Sequence, residues 1–275
     1  MPYVPTIGPV HPATFDVNLF EDVLKVAGTG SFLPYDKNKR WSDWKDETVL
    51  LDEIEHGPGR TLIPTLARQW NSLTLYAYGV VTDAKVVELA TKLATANHAA
   101  CARVLTFHGP EWNPSNGVAS VRVQLGHFAG PPALLDFHAV KPTAGFPEAV
   151  QATFATFADR LATDGFDFLY RRMQAGDVGP VLAVTDGSRV VGAIGPMETM
   201  ADSLGAARLL PPYFAVLSDH RRQGHGRALW RAATAWASHH GAEYVLLQTQ
   251  SNGPSDGLLQ AEGLHSLGFV CTETI

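Results

Sequence analysis

Residues 215–229 read AVLSDHRRQGHGRAL, and this stretch decides how the rest of the chain is interpreted. An apolar run of strand type, residues 213–217, leads into a polar segment with two glycines, Gly224 and Gly226. A helical pattern then begins at about Arg227 and continues to His240. A strand, a glycine turn and a helix in this order point several backbone N–H groups at one spot, at the positive end of the helix dipole.

Positive side chains are concentrated at the same spot. Arg221, Arg222 and Arg227 lie within or directly after the polar segment. Arginine side chains and a helix N-terminus both favour negative charge. We therefore expect an anionic, phosphate-bearing ligand at the segment.

Composition limits the classes of protein that need to be considered. The chain has 275 residues, 45% of them hydrophobic and 17% charged, with a net charge of −6. A slightly acidic chain argues against a non-specific nucleic-acid binder. The start of the chain lacks the pattern of a signal peptide, and no apolar run approaches the ~20 residues that span a bilayer. The two cysteines, Cys101 and Cys271, are far apart and fit a reducing compartment, so we expect a cytoplasmic protein without membrane or nucleic-acid partners.

The pattern of strands and helices divides the chain into two parts. Residues 1–130 are predicted to form an N-terminal α/β domain, and residues 133–275 a second domain, because glycines and prolines cluster between them. A strand at 72–81, a helix at 84–98 and a strand at 102–107 are predicted in the first part. This order is the same as that of the strand, helix and strand around the glycine turn in the second part, which is compatible with a remote duplication.

Further elements follow from local periodicity and turn residues. Four prolines in residues 1–14 predict an extended arm. Apolar spacing predicts amphipathic helices, and alternation around an Asp-Gly turn predicts a hairpin. The predicted helices cover residues 15–27, 46–56, 147–163, 166–174 and 255–267, and the predicted hairpin covers residues 181–194.

Two motifs in the second domain resemble those of the GNAT superfamily of N-acetyltransferases. Residues 221–226, RRQGHG, match the family's pyrophosphate loop pattern Q/R-x-x-G-x-G/A. Gly268 and Phe269 match the Gly-Phe pair that follows the family's last helix. The resemblance covers residues 133–275 and implies a mixed, mostly antiparallel sheet flanked by helices. The first domain, which lacks the loop pattern, would then be a degenerate GNAT-like copy without coenzyme A.

The resemblance implies acetyl-CoA, or another acyl-CoA, as the acyl donor. We expect no metal, because His239 and His240 are adjacent on a predicted helix and point about 100° apart. Backbone N–H groups of the loop would bind the pyrophosphate, and free backbone groups of the preceding strand would hold the pantetheine arm and polarise the thioester carbonyl. Asn252 and Ser255 would touch the pantetheine, although a turn residue and a helix N-cap are equally good interpretations. The residues expected to bind the donor are Val216, Leu217, Ser218, Arg221, Arg222, Gln223, Gly224, His225, Gly226, Arg227, Asn252 and Ser255.

The implied reaction is direct attack of a primary amine, on a small molecule or peptide, upon the thioester. Glu198 is the first candidate for the general base and His220 the second, although a solvated loop carboxylate and a loop donor are the simpler interpretations. The family's proton-donating tyrosine lies four residues before the glycine of the Gly-Phe pair, where this chain has Leu264. A catalytically inactive CoA-binding or scaffold protein is therefore the alternative function.

Two further expectations concern the end of the chain and its assembly. The family adds one more strand after the Gly-Phe strand, whereas this chain stops at Ile275. We expect the first domain to cover the edge that this leaves. The protein would then be a monomer built as a pseudo-dimer, or a homodimer.

Overall fold

The computed structural model describes residues 47–57, 60–67, 71–79, 83–113, 120–128, 139–202 and 204–275. The predicted arm over 1–14 and the predicted helix over 15–27 lie outside these ranges. The chain forms two compact units. The first contains Met1–Leu125, Leu247–Gly257 and His265–Ile275, and the second contains Gly126–Leu246 and Leu258–Leu264. This division differs from a single cut near residue 130, because two C-terminal segments belong to the first unit.

The first unit is built on a mostly antiparallel sheet. Its strands follow the order β1-β3-β4-β5-β14-β6, with β2 paired to β3. Strands β4 and β5 run parallel and are joined by helix α1, as the predicted strand, helix and strand require. The elements are β1 (Glu47–Val49), β2 (Glu55–Gly57), β3 (Arg60–Ala67), β4 (Ser72–Gly79), α1 (Asp83–Ala96), β5 (Cys101–His108), β6 (Ser120–His127) and β14 (His265–Thr274).

Helix α1 packs on the sheet through the apolar stripe that its sequence predicts. Val86, Ala90 and Leu93 are buried against Leu73 and Leu75 of β4. Their spacing of four and three residues places them on one face of the helix. Burial of this stripe holds the helix on the sheet.

The last strand of the chain has partners on both sides. Phe269 of β14 is paired with His108 of β5 on one side and with Arg122 of β6 on the other. The strand after the Gly-Phe pair therefore has no open edge over these residues. The first unit supplies the neighbouring strands, as we expected.

The helix predicted over residues 46–56 is wrong. These residues form β1, a short 3-10 turn over Leu51–Glu53, and β2. Both strands pair with β3. The periodicity did not predict β3 itself, because Pro64 interrupts the apolar residues of that strand. Pairing with a distant strand therefore overrides the local helical pattern.

The second unit contains a four-stranded antiparallel sheet of order β12-β9-β8-β7. Outside that sheet, β10 pairs with β11 and β11 pairs with β13, whose residues 247–250 belong to the first unit. Its helices are α2 (Glu148–Gln151), α3 (Phe154–Arg160), α4 (Phe166–Ala175) and α5 (His225–His239). Helix α6 (Pro254–Ala261) follows β13, and its last residues belong to this unit. The strands are β7 (Val140–Pro142), β8 (Leu182–Thr185), β9 (Val190–Gly195), β10 (Thr199–Ala201), β11 (Ala207–Leu209), β12 (Tyr213–Val216) and β13 (Tyr244–Gln250).

The aromatic side chains of α3 and α4 form the core on one face of the four-stranded sheet. Phe154 and Phe157 are 2% and 1% exposed, and they pack with Phe166 and Leu169. Ala183 and Ala193 line the sheet beneath them. The predicted buried aromatic edge is therefore confirmed.

Two predicted helices differ in extent from the observed ones. The helix expected over 147–163 is divided into α2 and α3. The helix expected over 255–267 ends at Ala261, because Gly263 adopts a left-handed φ of +95° and the chain then enters β14. The Gly-Phe pair consequently lies inside a strand. The predicted helix 166–174 and the predicted hairpin are confirmed as α4 and as β8 with β9.

Candidate functional site

The turn between β12 and α5 presents a run of backbone N–H groups. Among the described residues, no backbone acceptor receives the N–H groups of residues 222–227. The first hydrogen bond of the helix joins the Ala228 N–H to the Gly224 carbonyl at 3.0 Å, and no side chain caps the helix start. The segment 222–227, named here the phosphate loop, therefore directs free donors and the positive end of the α5 dipole at the same place. This is the arrangement that binds phosphate.

The two glycines of the phosphate loop have different roles. Gly224 has a φ of +85°, and no atom lies within 4 Å of the position that a Cβ would take. Glycine is favoured at position 224 for its backbone conformation, because residues with an L side chain rarely adopt this φ. A Cβ on Gly226 would lie 3.3 Å from Leu258 Cδ2 and 3.6 Å from Phe214 Cζ, so Gly226 allows α5 to pack closely.

Side chains hold the residues that lead into the phosphate loop. Arg160, at the end of α3, lies 3.0 Å from the Asp219 carboxylate. Arg189 Nη2 lies 3.3 Å from His220 Nε2. Arg221 Nε donates to the Val216 carbonyl at 3.1 Å. Three consecutive residues, Asp219, His220 and Arg221, are thus fixed by side-chain contacts, and local sequence patterns did not predict the first two.

The three arginines expected around the anion differ in their partners. Arg221 is directed back to the Val216 carbonyl by its Nε. Arg227 Nε lies 2.8 Å from Glu262, which also binds Arg231 at 2.7 Å. Arg222 is exposed and has a left-handed φ of 62°. The Arg227 side chain therefore already pairs with Glu262, and its contact with an anion stays a prediction.

Strand β12 offers backbone groups along one edge of its sheet. Leu217 N–H donates to Val191 O at 2.9 Å, and Val216 is paired in register with Gly192. Because bonded and non-bonded pairs alternate in an antiparallel ladder, the N–H groups of Phe214 and Val216 point away from β9. Leu217 therefore lacks the free N–H that we expected, whereas Val216 keeps its own. Ser218 is exposed, and its carbonyl accepts the Arg221 N–H at 3.4 Å.

The strand that leads into the phosphate loop changes sheets at two prolines. Before them, β11 runs parallel to β13, with Leu209 opposite Val245. After Pro211 and Pro212, β12 pairs with β9. Prolines cannot continue a ladder because they lack an N–H. The strand before the loop and the strand after α5 therefore part into different sheets.

Glu198 lies beside the point of divergence. Its carbonyl accepts the Leu210 N–H at 2.9 Å, which places Glu198 opposite the residue before the two prolines. One carboxylate oxygen accepts the Gly179 N–H at 2.9 Å, and the side chain is half-buried. Glu198 therefore lies where the chain passes from β11 towards β12.

His220 is held by the β8–β9 turn. Its Nε2 faces Arg189, which has only donors, so this nitrogen is an acceptor and its lone pair is already engaged. This geometry favours a role for His220 in fixing the loop over a role as base. His225, within the phosphate loop, is half-buried, and burial lowers its pKa. Hydrogen bonds, first from the Ser188 N–H, hold the pKa of the Asp186 carboxyl well below its usual range.

Leu264 is buried where the family has its tyrosine. The side chain is 7% exposed, and its Cγ would be 2.9 Å from a Cβ on Gly126. A buried hydrocarbon in contact with a glycine leaves no room for a phenol, and it carries no proton to donate. The acid role of the family's tyrosine is therefore absent from this position.

Asn252 and Ser255 lie in the first unit, and the phosphate loop lies in the second. Asn252 is an exposed turn residue with a left-handed φ of 61°. Ser255 lies within α6, which begins at Pro254, so the N-cap interpretation is wrong.

Both residues precede a buried carboxylate, Asp256, whose role local sequence patterns did not predict. Asp256 is 2% exposed and accepts hydrogen bonds from four groups. The donors, with their distances, are Arg122 Nε (2.8 Å), Gln124 Nε2 (3.1 Å), Thr249 Oγ1 (2.9 Å) and the Asn252 N–H (3.0 Å).

His240 and the groups that could bind a metal were the remaining candidates for a site outside the phosphate loop. His240 stacks on Trp236 and its Nδ1 lies 2.7 Å from the Trp236 carbonyl, so it belongs to the end of α5. The described residues contain no group of three His, Cys, Asp or Glu side chains placed to hold a metal. Nor does the described part of the chain contain a helix long and apolar enough to cross a membrane.

Comparison with known structures shows the fold. A GCN5-related N-acetyltransferase from Sphaerobacter thermophilus aligns with a TM-score of 0.53 at 14% identity, over 98% of this chain and 94% of that chain. A functionally unknown conserved protein from Staphylococcus epidermidis aligns with a TM-score of 0.50 at 12% identity, over 86% and 98%. The glucosamine N-acetyltransferase region of a fungal GH3 β-N-acetylglucosaminidase aligns with a TM-score of 0.50 at 9% identity, over 98% of this chain and 38% of that chain.

The first of these likenesses extends over nearly the whole chain and supports a GNAT-like fold for the first unit also. No curated protein matches the sequence. Residues 159–269, which include the phosphate loop and the Gly-Phe pair, match the model of the acetyltransferase (GNAT) family. The C-terminal part of the chain is therefore a GNAT acetyltransferase domain.

Proposed function

We propose that the protein is an N-acetyltransferase that uses acetyl-CoA and a primary amine of a small molecule or peptide. The observation that carries the proposal is the run of free N–H groups over residues 222–227 at the start of α5. Such a run binds the two charges of a pyrophosphate without a lysine or a metal. Gly224 supports this fit because the space beside it is open.

The edge of β12 provides the second half of the donor site. The N–H groups of Phe214 and Val216, which point away from β9, are suited to hold the pantetheine arm. We assign to the Val216 N–H the polarisation of the thioester carbonyl, because it is the last N–H of β12 that points away from β9 before the phosphate loop. A donor fixed in a strand stabilises a developing oxyanion without reorganisation.

Transfer proceeds by direct attack of the neutral amine on the thioester carbon. The C–N bond forms, the C–S bond breaks, and the proton lost by the amine goes to a base. Glu198 is the candidate base, because it is a half-buried carboxylate paired with Leu210, where the chain passes from β11 towards β12. With leucine at position 264, we assign no side chain as the acid, and the thiolate of coenzyme A leaves without one because a thiol pKa of about 8.5 makes it a fair leaving group.

A thiol-release screen tests the proposed function. Purified protein would be incubated with acetyl-CoA and with separate panels of amino sugars, amino acids, polyamines, amino-antibiotics and peptides. Amino sugars belong in the panel because the fungal region of similar fold is a glucosamine N-acetyltransferase. We expect free thiol in amounts equal to an acetylated amine for at least one class. Binding of acetyl-CoA with no release in any panel would instead support the inactive CoA-binding protein.

A further inference from the structure

The turn of the β8–β9 hairpin reaches the residues before the phosphate loop. The Asp186 carboxylate shapes the turn, because Oδ1 accepts the N–H groups of Ser188 and Arg189, both at 3.1 Å. Its Oδ2 accepts Arg189 Nε at 3.0 Å, which fixes the guanidinium. The free end of that guanidinium, Nη2, lies 3.3 Å from His220 Nε2. Asp186, Arg189 and His220 are named here the hairpin clasp.

The hairpin clasp adds a side-chain contact to a turn that two backbone hydrogen bonds close. In the 3-10 turn over Ser218–His220, which precedes the phosphate loop, the His220 N–H donates to Leu217 O at 2.9 Å and the Arg221 N–H to Ser218 O at 3.4 Å. The His220 side chain is only 15% exposed and lies 3.9 Å from Asp186 Oδ2. The ring is therefore packed against the hairpin, two residues before the first free N–H group.

Resting on the proposed function, we propose that Arg189 is a positioning residue for coenzyme A. Through His220 it holds the 3-10 turn so that the N–H groups of the phosphate loop converge on the pyrophosphate, and it does not touch the ligand itself. A loop that is ordered before binding loses less conformational entropy when the ligand arrives. Removal of Arg189 should therefore weaken binding of coenzyme A.

Calorimetric titration with coenzyme A tests this role without knowledge of the acceptor. We expect Arg189→Ala to bind about 10- to 100-fold more weakly than the wild type, the effect of one hydrogen bond to a charged group. Arg189→Lys keeps a donor and should recover most of the affinity. Arg171→Ala is the matched control, because Arg171 forms an exposed ion pair with Asp167 at 3.2 Å on α4, and it should bind as the wild type does. Thermal melts of all variants should agree within a few degrees.

A double-mutant cycle separates positioning from direct contact. If Arg189 acts through His220, the variant His220→Ala with Arg189→Ala should bind coenzyme A as weakly as His220→Ala alone. A further loss in the double variant, equal to that of Arg189→Ala, would mean that Arg189 contacts the ligand and would overturn the proposal. Wild-type affinity in Arg189→Ala would overturn it as well. Failure of the wild type to bind coenzyme A would refute the proposed function itself.

Discussion

Replacing Gly224 by alanine tests the phosphate loop at a residue whose backbone, and not its side chain, is proposed to bind. Gly224 has a φ of +85° with open space around the missing Cβ, so alanine adds strain without a clash. Gly241 follows the other end of α5 with a φ of +77° and equally open surroundings. The two glycines are therefore matched in conformation and differ in their distance from the phosphate loop.

Both substitutions should cost similar stability. A left-handed conformation costs an L residue roughly 1–2 kcal/mol, so each variant should melt roughly 3–8 °C below the wild type. Only Gly224→Ala should also weaken coenzyme A, because relief of the strain rotates the adjoining N–H groups away from the pyrophosphate. Each hydrogen bond lost to a charged group costs about 1.5–3 kcal/mol, which predicts about 10- to 100-fold weaker binding.

Calorimetry with coenzyme A and thermal melts on the same preparations provide the comparison. Gly241→Ala should lose stability and keep wild-type affinity. The reasoning is refuted if Gly224→Ala is destabilised like Gly241→Ala and still binds coenzyme A as tightly as the wild type.

Three further predictions concern the base, a buried carboxylate and the thiols. Glu198→Gln keeps the acceptor for the Gly179 N–H and should lower kcat about 100-fold with unchanged affinity for coenzyme A. An unchanged kcat in the thiol-release assay would exclude Glu198 as the base. Asp256→Ala leaves the half-buried Arg122 and the buried Gln124 and Thr249 without their carboxylate partner and should lower the free energy of unfolding in urea by about 3–5 kcal/mol, whereas Glu55→Ala at an exposed pair should cost under about 1 kcal/mol. Burial raises the pKa of Cys271 to about 11, so its thiol stays protonated at pH 8. A disulfide reagent should therefore modify Cys101 alone until denaturant exposes Cys271. Rapid modification of both thiols in the native protein would contradict the burial of Cys271.

Local sequence patterns predicted most of the elements around the phosphate loop. The apolar spacing after Gly226 and the stop at Gly241 correspond to α5, and the apolar run at 244–250 corresponds to β13. These elements are specified by periodicity and by glycines, which act within a few residues. The same local reasoning failed at residues 46–56, because the partner that makes them strands is β3.

The chemistry of the site depends on contacts that local patterns do not contain. The loop pattern located the free N–H groups, yet it did not predict that Glu262 neutralises Arg227 or that Arg189 faces His220. Residues 189 and 220 are 31 positions apart, and their contact exists only because the β8–β9 turn folds beside the 3-10 turn. Asp256 was overlooked for the same reason, since its donors come from β6 and β13.

Titration of the wild-type protein with acetyl-CoA tests the central claim most directly. The phosphate loop occurs in the second unit, and the first unit lacks the loop pattern in its sequence. We therefore predict saturable binding to a single site per chain, with a dissociation constant of about 1 μM to 1 mM, the range of enzyme KM values. Absence of binding at millimolar acetyl-CoA would contradict the assignment of residues 222–227 as a pyrophosphate site.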